Sequence, residues 1–357
     1  MSKKIRVLIA DDSALMRREI TRIIESDPEL EVVAAARNGE EAVQKTRQLQ
    51  PDVVALDINM PVMDGLTALS HIMIESPRPV VMISSLTQEG ALTTFEALEL
   101  GAVDYVGKPG GTISRDIDLV ADDIRYKIKA AARARLSRLK RKSERRVSVS
   151  APRRRTPAAR ATNRSGKIVV IGVSTGGPNT LMDIVPAFPE DLAAPVIIVQ
   201  HMPGSFTPSF AMRLDKYSPL SFKEAERGDI LAPGRGFLAP GGLHLTIAPR
   251  SSLAREFYIR LSKIGPKTLH VPSVDVTMES VLEFYGPNTI GVLLTGMGDD
   301  GADAMVKIRR AGGRTIAESE ETAVVFGMPK EAINRGGAEF ILPSYKIGDK
   351  IVELVQS

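Results

Sequence analysis

The chain repeats one pattern twice, and a strongly basic segment separates the two copies. From Ile5 to Ala134, short apolar runs alternate with stretches whose apolar residues recur at helical spacing, and the same alternation restarts at Lys167. Strands that alternate with helices in this way predict a parallel sheet covered by helices on both faces. The 357 residues leave room for two such domains, since one domain commonly takes about 100 to 200 residues. We therefore predict an α/β protein with two doubly wound parallel-sheet domains.

The basic segment indicates where the two domains are joined. Residues 125–164 hold 16 of the 47 Lys and Arg residues but only one acid, Glu144. The rest of the chain has 31 basic and 42 acidic residues, so the net charge of +4 conceals two acidic domains. The end of the segment has no apolar period, which is typical of a solvated linker. We predict a first domain at 1–128, a basic flexible linker at 129–165 and a second domain at 166–357.

Composition excludes several classes of protein. The chain has no cysteine, which excludes a disulfide framework, a thiolate nucleophile and a cysteine-ligated zinc site. The first apolar run is broken at Arg6 and ends in two acids, unlike a signal peptide. No apolar run approaches the ~20 residues that a membrane span needs. We expect a cytoplasmic protein without membrane insertion.

Polar side chains follow several predicted strands of the first domain. Asp11 and Asp12 follow the first strand, Asp57 ends the third, Ser84 ends the fourth and Lys108 follows the fifth. The carboxyl ends of parallel strands meet at one edge of a sheet, so these groups should share a pocket. Three close carboxylates raise one another's pKa unless a cation lies among them, and oxygen ligands suit Mg²⁺. An aspartate beside Mg²⁺, a lysine and a hydroxyl can accept a phosphoryl group as an acyl phosphate. The strands themselves are predicted at Ile5–Ala10, Glu31–Ala36, Val53–Asp57, Pro79–Ser84 and Val103–Val106.

With the turn Asp57-Ile-Asn-Met-Pro-Val-Met-Asp-Gly65 and the pair Lys108-Pro109, this set resembles the receiver domain of response regulators. The resemblance implies a flavodoxin-like fold, Mg²⁺ as cofactor, Asp57 as the phosphoacceptor and a histidine kinase as phosphodonor. It also implies that the metal is held by Asp11, Asp12, Asp57 and the Asn59 backbone carbonyl. The residues it implies as support for the phosphoryl site are Ser84, Lys108 and the switch aromatic Tyr105.

The second domain offers a serine in a glycine-rich turn. Without cysteine, a covalent mechanism depends on Ser, Thr, Lys or a carboxylate, with one of only four histidines as base. Ser174 lies in Gly172-Val-Ser-Thr-Gly176, between the predicted strand Ile168–Ile171 and a helix. The glycines permit a tight turn, and the helix N-terminus favours a developing oxyanion. The same loop could instead bind an anion without catalysis.

Two further strand ends supply a base and an acid. His201 follows the predicted strand Pro195–Val199, and the predicted strand Thr289–Leu294 leads to Asp299 and Asp300 before a helix. Either aspartate could orient the imidazole, or could only cap the helix. The order Ser, His, Asp differs from that of the α/β-hydrolase fold, which is therefore disfavoured.

The remaining histidines are predicted to be outside the catalytic machinery. We interpret His71 as a surface residue of the first domain. His244 and His270 could contact a substrate, but we interpret both as structural. The Gly- and Pro-rich stretch 217–265 is predicted to form β-hairpins.

Three segments of the second domain closely resemble the chemotaxis protein-glutamate methylesterases: Ile171-Gly-Val-Ser-Thr-Gly-Gly-Pro178, Gln200-His-Met-Pro203 and Leu294-Thr-Gly-Met-Gly-Asp-Asp-Gly-Ala302. The resemblance implies Ser174 as nucleophile, His201 as base and Asp300 as orienting acid. Thr175 and Met297 would flank the site, with the Met297 backbone in the oxyanion hole. The implied reaction is hydrolysis of γ-glutamyl methyl esters on chemoreceptors, with deamidation of receptor glutamines as a second activity and no cofactor for the esterase step.

We further expect a monomer whose unphosphorylated receiver covers the esterase cleft, with phosphorylation of Asp57 loosening that contact. Two alternatives remain at this point. The basic linker favours a response regulator that binds nucleic acid, and the turn around Ser174 favours a noncatalytic anion-binding module. Under the esterase interpretation no nucleic acid is a partner.

Overall fold

The computed structural model describes residues 3–84, 88–108, 116–134, 166–250, 256–266 and 268–357. The chain divides into two compact units, Met1–Val147 and Ser148–Ser357. Within the ranges described, none of the helices combines the length and the apolar character that crossing a bilayer requires.

The first unit contains one sheet of five parallel strands in the order β2-β1-β3-β4-β5. The strands are β1 (Ile5–Ala10), β2 (Leu30–Ala36), β3 (Val53–Asp57), β4 (Val80–Ser84) and β5 (Asp104–Gly107). The helices are α1 (Ala14–Glu25), α2 (Gly39–Leu49), α3 (Gly65–Glu75), α4 (Gln88–Leu100) and α5 (Asp116–Ala132). This is the predicted flavodoxin-like architecture, and each strand lies within one residue of its predicted bounds.

Local sequence explains why the first three helices begin where they do. Ser13, Asn38 and Asp64 each precede a helix, and each side chain accepts a backbone hydrogen bond from the first turn. Such caps satisfy N–H groups that have no partner within the helix. β3 is buried at all five positions, as expected for a central parallel strand covered on both faces.

The second unit contains a parallel sheet of seven strands in the order β14-β13-β12-β6-β7-β9-β8, and a separate antiparallel pair. The strands are β6 (Ile168–Val173), β7 (Val196–Gln200), β8 (Ser221–Glu224), β9 (Arg235–Leu238), β10 (His244–Pro249), β11 (Phe257–Ser262), β12 (Thr289–Leu293), β13 (Arg314–Glu318) and β14 (Phe340–Leu342). The helices are α6 (Gly177–Ile184), α7 (Thr207–Tyr217), α8 (Val274–Tyr285), α9 (Ala302–Arg310), α10 (Met328–Asn334) and α11 (Ser344–Gln356).

The hairpin prediction for the middle of this unit was only partly right. β10 and β11 form an antiparallel pair, but β8 and β9 extend the parallel sheet beyond β7. Their apolar side chains explain the difference, because Phe222 and Leu238 are buried in the unit rather than on a separate hairpin. Glycine at position 236 leaves room for the Phe222 ring, since a Cβ there would overlap it.

The centre of the second sheet determines where side chains can converge. β6, β7 and β12 are buried at every position and lie side by side. The chain runs from β6 outward through β7, and the later strands β12 to β14 lie on the other side of β6. Such a reversal leaves a crevice at the carboxyl ends of the strands, where open α/β sheets bind their ligands.

Candidate functional sites

The serine of the glycine-rich turn directly follows β6. Ser174 is only 3% exposed; its backbone N–H donates to Thr295 O at 3.0 Å, and its carbonyl accepts from Gly177 N at 2.8 Å. The turn depends on Gly176, which has φ +79° and whose added Cβ would lie 2.6 Å from a Val324 carbon. Only glycine meets both conditions without strain.

A second glycine brings the end of β12 close to the serine. A Cβ on Gly296 would come 2.8 Å from Ser174 Cβ, closer than carbon atoms normally approach. The absence of a side chain at position 296 therefore allows β12 and β6 to deliver their loops to one point.

The predicted base follows the neighbouring strand β7. The backbone N–H of His201 donates to Val173 O at 3.1 Å, which ties the ends of β6 and β7 together. Its Nε2 lies 2.8 Å from Asp300 Oδ2. Its Nδ1 is buried and hydrogen-bonds to none of the described residues, Ser174 included. The Asp300 contact makes Nε2 the protonated nitrogen, so Nδ1 has the lone pair that a base needs.

The carboxylate of Asp300, although it lies elsewhere in the chain, also caps the N-terminus of α8. Its carboxylate accepts hydrogen bonds from Ser273 Oγ at 2.8 Å, Val274 N at 2.8 Å and Asp275 N at 3.0 Å. Burial alone would raise the pKa of Asp300, but the hydrogen bond and charge of His201, with the two backbone donors, hold it well below its usual range. Asp300 is therefore a fixed, ionised partner for the imidazole.

The other candidate acid points elsewhere. Asp299 is 61% exposed and pairs with Arg335 at 2.6 Å. Of the two aspartates that the sequence left open, only Asp300 contacts His201.

A buried glutamate supports the turn that contains Ser174, and the sequence did not reveal it. Glu318 is fully buried at the end of β13 and accepts from Thr295 N at 2.9 Å and from Thr322 Oγ1 at 2.8 Å. Thr295 in turn accepts the Ser174 N–H and donates its hydroxyl to Thr175 O at 2.8 Å. An acid that ends an apolar strand, as in Thr-Ile-Ala-Glu, was the available signal.

Gln200 links Ser174 and His201 through their backbones, and the sequence did not reveal it. Its Nε2 donates to Ser174 O at 3.0 Å and to His201 O at 3.1 Å. The side chain is 2% exposed, so both hydrogen bonds lie in the interior. One amide group thus holds the ends of β6 and β7 in a single arrangement.

His270, which the sequence left as a structural residue or a possible substrate contact, lies next to His201. Its ring stacks on that of His201, with centroids 4.0 Å apart and planes 21° apart. His244 has a supporting position instead: it is buried, its Nδ1 accepts from Ser273 N at 3.4 Å, and burial lowers its pKa. His71 has an exposed side chain on α3, 2.8 Å from Glu75.

Thr175 directly follows Ser174 in the chain. Met297 directly follows Gly296, the glycine that approaches Ser174 in space. Thr175 is 1% exposed, and its hydroxyl is buried with no hydrogen-bond partner among the described residues. Met297 is half-buried. Their proposed part in binding an oxyanion stays a prediction.

The first unit brings three aspartates and a lysine together at the carboxyl edge of its sheet. Asp11 and Asp57 are buried, Asp12 is exposed, and one oxygen from each lies within 4.8 Å of the others. Lys108 Nζ is 2.7 Å from Asp57 Oδ2 and 3.0 Å from Asp11 Oδ2. Burial and the charge of Asp11 raise the pKa of Asp57, although Lys108 and a backbone N–H oppose them. Lys108 therefore compensates only part of the charge of the cluster.

The donor set of this cluster fits a hard divalent cation. Lys108 pairs with two of the three carboxylates, and carboxylate oxygens are the ligands that Mg²⁺ prefers. The contribution of the Asn59 carbonyl stays a prediction. Ser84 ends β4, but its side chain lies outside the described part of the molecule, as does Pro109.

Tyr105, the predicted switch aromatic, lies within β5. It is 1% exposed, packs edge-on against Phe95 with ring centroids 6.3 Å apart, and its carbonyl accepts from Lys127 Nζ at 2.6 Å. Burial raises the pKa of its phenol well above the usual value.

Comparison with known proteins assigns a family to each of the two parts of the chain. Residues 169–351 match the CheB methylesterase family, and residues 7–114 match the response regulator receiver domain. A protein-glutamate methylesterase/protein-glutamine glutaminase of Carboxydothermus hydrogenoformans is 56% identical over 99% of each chain. One from Pyrococcus horikoshii is 45% identical over 100% of this chain and 95% of its own. The crystal structure of the Thermotoga maritima CheB methylesterase catalytic domain has 47% identity and a TM-score of 0.51, covering 53% of this chain and 98% of that one. The chain therefore belongs to the CheB methylesterase family, with a response regulator receiver domain preceding the esterase.

Proposed function

We infer that the protein hydrolyses γ-methyl esters of glutamyl residues on chemoreceptors, and deamidates receptor glutamines by the same route, under control of its receiver domain. One observation carries the catalytic assignment. Ser174, His201 and Asp300 follow the three adjacent strands β6, β7 and β12, and His201 Nε2 lies 2.8 Å from Asp300. The family match favours this activity over a nucleic-acid-binding or noncatalytic output.

Acylation uses the hydroxyl, the imidazole and the carboxylate in turn. Ser174 Oγ attacks the ester carbonyl while His201 Nδ1 takes its proton, and a tetrahedral oxyanion forms. Asp300 stabilises the imidazolium through Nε2. The oxyanion is bound near the N-terminus of α6, and we assign the Met297 backbone and the Thr175 region to it. When the intermediate collapses, the ester C–O bond breaks and methanol leaves with the proton from Nδ1.

Deacylation repeats these roles with water. His201 removes a proton from water as it attacks the acyl-enzyme, and then returns it to Ser174 Oγ. The product is the free glutamyl carboxylate. With a glutamine substrate, ammonia is the leaving group of the first step and the acyl-enzyme is the same. A nucleophile, a base and an orienting acid suffice for this cycle, so we propose that it needs no cofactor.

Phosphorylation concerns the first unit. Asp57 accepts the phosphoryl group from a histidine kinase. Asp11, Asp12, Asp57 and the Asn59 carbonyl would hold Mg²⁺, which would supply compensating positive charge at this site. Lys108 contributes a second positive charge next to Asp57, and Ser84 and Tyr105 are assigned to sensing the phosphoryl group. We propose a cytoplasmic monomer divided into the receiver at 1–128, the linker at 129–165 and the esterase at 166–357.

Methanol release from methylated receptor membranes tests the proposal. The intact protein should release methanol, faster with acetyl phosphate as phosphodonor, and Ser174→Ala should release none above background. Asp57→Ala should keep a basal rate and lose the response to phosphodonor. Wild-type activity in Ser174→Ala would contradict the assigned mechanism, and a full phosphodonor response in Asp57→Ala would contradict the assigned phosphorylation site.

A further inference from the structure

The segment between β11 and α8 exposes an unusual amount of apolar surface. We name residues 263–266 and 268–271 the rim segment. Ile264 is 89% exposed, Leu269 is 78% exposed and Val271 is 39% exposed. Single exposed apolar residues are common, but three within one short segment indicate a surface that another molecule covers.

The rim segment is connected directly to the catalytic residues. His270, between Leu269 and Val271, stacks on His201 with ring centroids 4.0 Å apart. Two residues after Val271, Ser273 donates its hydroxyl to Asp300 at 2.8 Å. Leu269 and Val271, the chain neighbours of His270, therefore lie next to the site where the ester reacts.

Hydrogen bonds hold the rim segment in a definite conformation. Ser262 Oγ donates to Ile264 O at 2.8 Å and accepts from Ile264 N at 3.0 Å. Thr268 Oγ1 donates to His270 O at 2.7 Å, and Gly242 N donates to Val271 O at 2.9 Å. A preorganised segment loses little conformational entropy when a partner binds.

The chemistry of the substrate identifies what covers this surface. The carbonyl carbon of a glutamyl ester is three C–C bonds from its own Cα, which is about 4 Å in an extended side chain. While the ester is at Ser174, the substrate polypeptide must therefore lie against the border of the site. Neighbouring apolar residues of that polypeptide can then contact the rim segment.

We propose that the rim segment is the docking surface for the receptor polypeptide, with Ile264 and Leu269 packing against apolar residues next to the modified glutamate. This rests on the proposed function. Docking on the rim segment makes recognition depend on the residues around the glutamate, because those residues and not the ester group would contact Ile264 and Leu269.

The test compares two substrates with the full-length protein activated by acetyl phosphate. One is methylated receptor membranes, and the other is a capped glutamate γ-methyl ester that has no flanking residues. Leu269→Glu and Ile264→Glu should each lower kcat/KM on receptors about tenfold relative to the small ester, mainly through KM, as expected when one large apolar contact is lost. Ile341→Glu is the matched control: Ile341 is 49% exposed on β14, three strands from β6, and both rates should stay at the wild-type level.

Each outcome decides the question. Equal rates for wild type and the two rim variants on receptors would overturn the docking proposal while leaving the esterase assignment intact. An equal loss on both substrates would also overturn it, since the variants would then act on the chemistry through His270. If wild type hydrolysed neither substrate, the proposed function would fail and the docking proposal with it.

Discussion

At the scale of single residues, the carboxylate of Asp300 is the most strongly fixed group of the esterase site. Four hydrogen bonds, from His201, Ser273, Val274 and Asp275, surround it, and its pKa is held far below the ordinary value. Asp300 therefore stays ionised throughout the pH range of an assay.

We predict that Asp300→Asn lowers kcat on methylated receptors about 10³- to 10⁴-fold, as loss of the acid does in other serine triads. The amide cannot stabilise the imidazolium and favours the wrong tautomer of His201. Asp299→Asn, which changes an exposed neighbour paired with Arg335, should keep the wild-type kcat. Comparable losses in both variants would mean that the loop, and not the carboxylate of Asp300, matters.

Asp275 predicts a pH dependence of stability. Its carboxylate accepts from Ala304 N at 2.9 Å near the start of α9, yet burial, with the charges of Asp300 and Asp303, raises its pKa to about 6. An unfolded aspartate has a pKa of about 3.9. Between these two values the folded state keeps a proton that the unfolded state releases, so this group lowers the free energy of unfolding as pH rises from about 4 to about 6.

Urea unfolding of wild type and Asp275→Asn at pH 4.5 and pH 7 measures this contribution. An asparagine can still accept from Ala304 N, but it cannot ionise. The stability difference between the two pH values should be smaller in the variant by about 1 kcal/mol, since water partly screens a carboxyl that is not fully buried. Identical pH dependence in both proteins would show that Asp275 ionises normally.

Sequence reasoning found the residues whose chemistry is distinctive and missed those whose role depends on packing. A serine in a glycine-rich turn or a histidine after a buried strand can be recognised from neighbours in the chain. Glu318 is more than 140 positions from Ser174, and only pairing of β12 with both β6 and β13 brings it beneath the turn. His270 lies in a turn-rich stretch with no periodicity, so its stack on His201 has no local signal.

At the scale of elements, the esterase site depends on how strand ends are held together. The long apolar runs of β6, β7 and β12 were predictable because strands buried on both faces are apolar at nearly every position. β8 and β9 are four residues each, with exposed positions in both, and such short strands do not reveal from sequence which sheet they join. The chain order of strands was likewise readable, whereas the neighbour order β12-β6-β7 required the structure.

We predict that Gln200→Leu lowers kcat at least tenfold and changes KM little. Leucine keeps the volume but removes the amide that bonds to both Ser174 O and His201 O, so two buried carbonyls lose a donor. The loops that carry Ser174 and His201 then lose a shared donor, while the pairing of β6 with β7 and the surface that receives the substrate are kept. Steady-state kinetics on receptor membranes and a thermal melt of the folded variant separate this effect from unfolding. A normal kcat would rule out Gln200 as a positioning residue.

At the scale of the whole molecule, the chain combines two kinds of site with different requirements. The first unit gathers Asp11, Asp12 and Asp57, two of them paired with Lys108, an arrangement whose remaining negative charge a divalent cation would compensate. The second gathers a hydroxyl, an imidazole and one carboxylate that is already satisfied by hydrogen bonds. Outside residues 125–164 the chain has 42 acidic and 31 basic residues, which is why the overall charge of +4 alone suggested neither function.

Only the site of the first unit is expected to need a cation. We therefore predict that a chelator removes the response to phosphodonor in the intact protein and leaves the basal esterase rate unchanged. Excess EDTA should abolish the increase in methanol release caused by acetyl phosphate, because the aspartates of the receiver need Mg²⁺ to accept the phosphoryl group. The rate without phosphodonor should stay within about twofold of its value in Mg²⁺, a difference of under about 0.5 kcal/mol in activation free energy. Added Mg²⁺ should restore the stimulation in wild type and not in Asp57→Ala. A basal rate that falls with EDTA and returns with Mg²⁺ in Asp57→Ala would instead assign a metal to the esterase step.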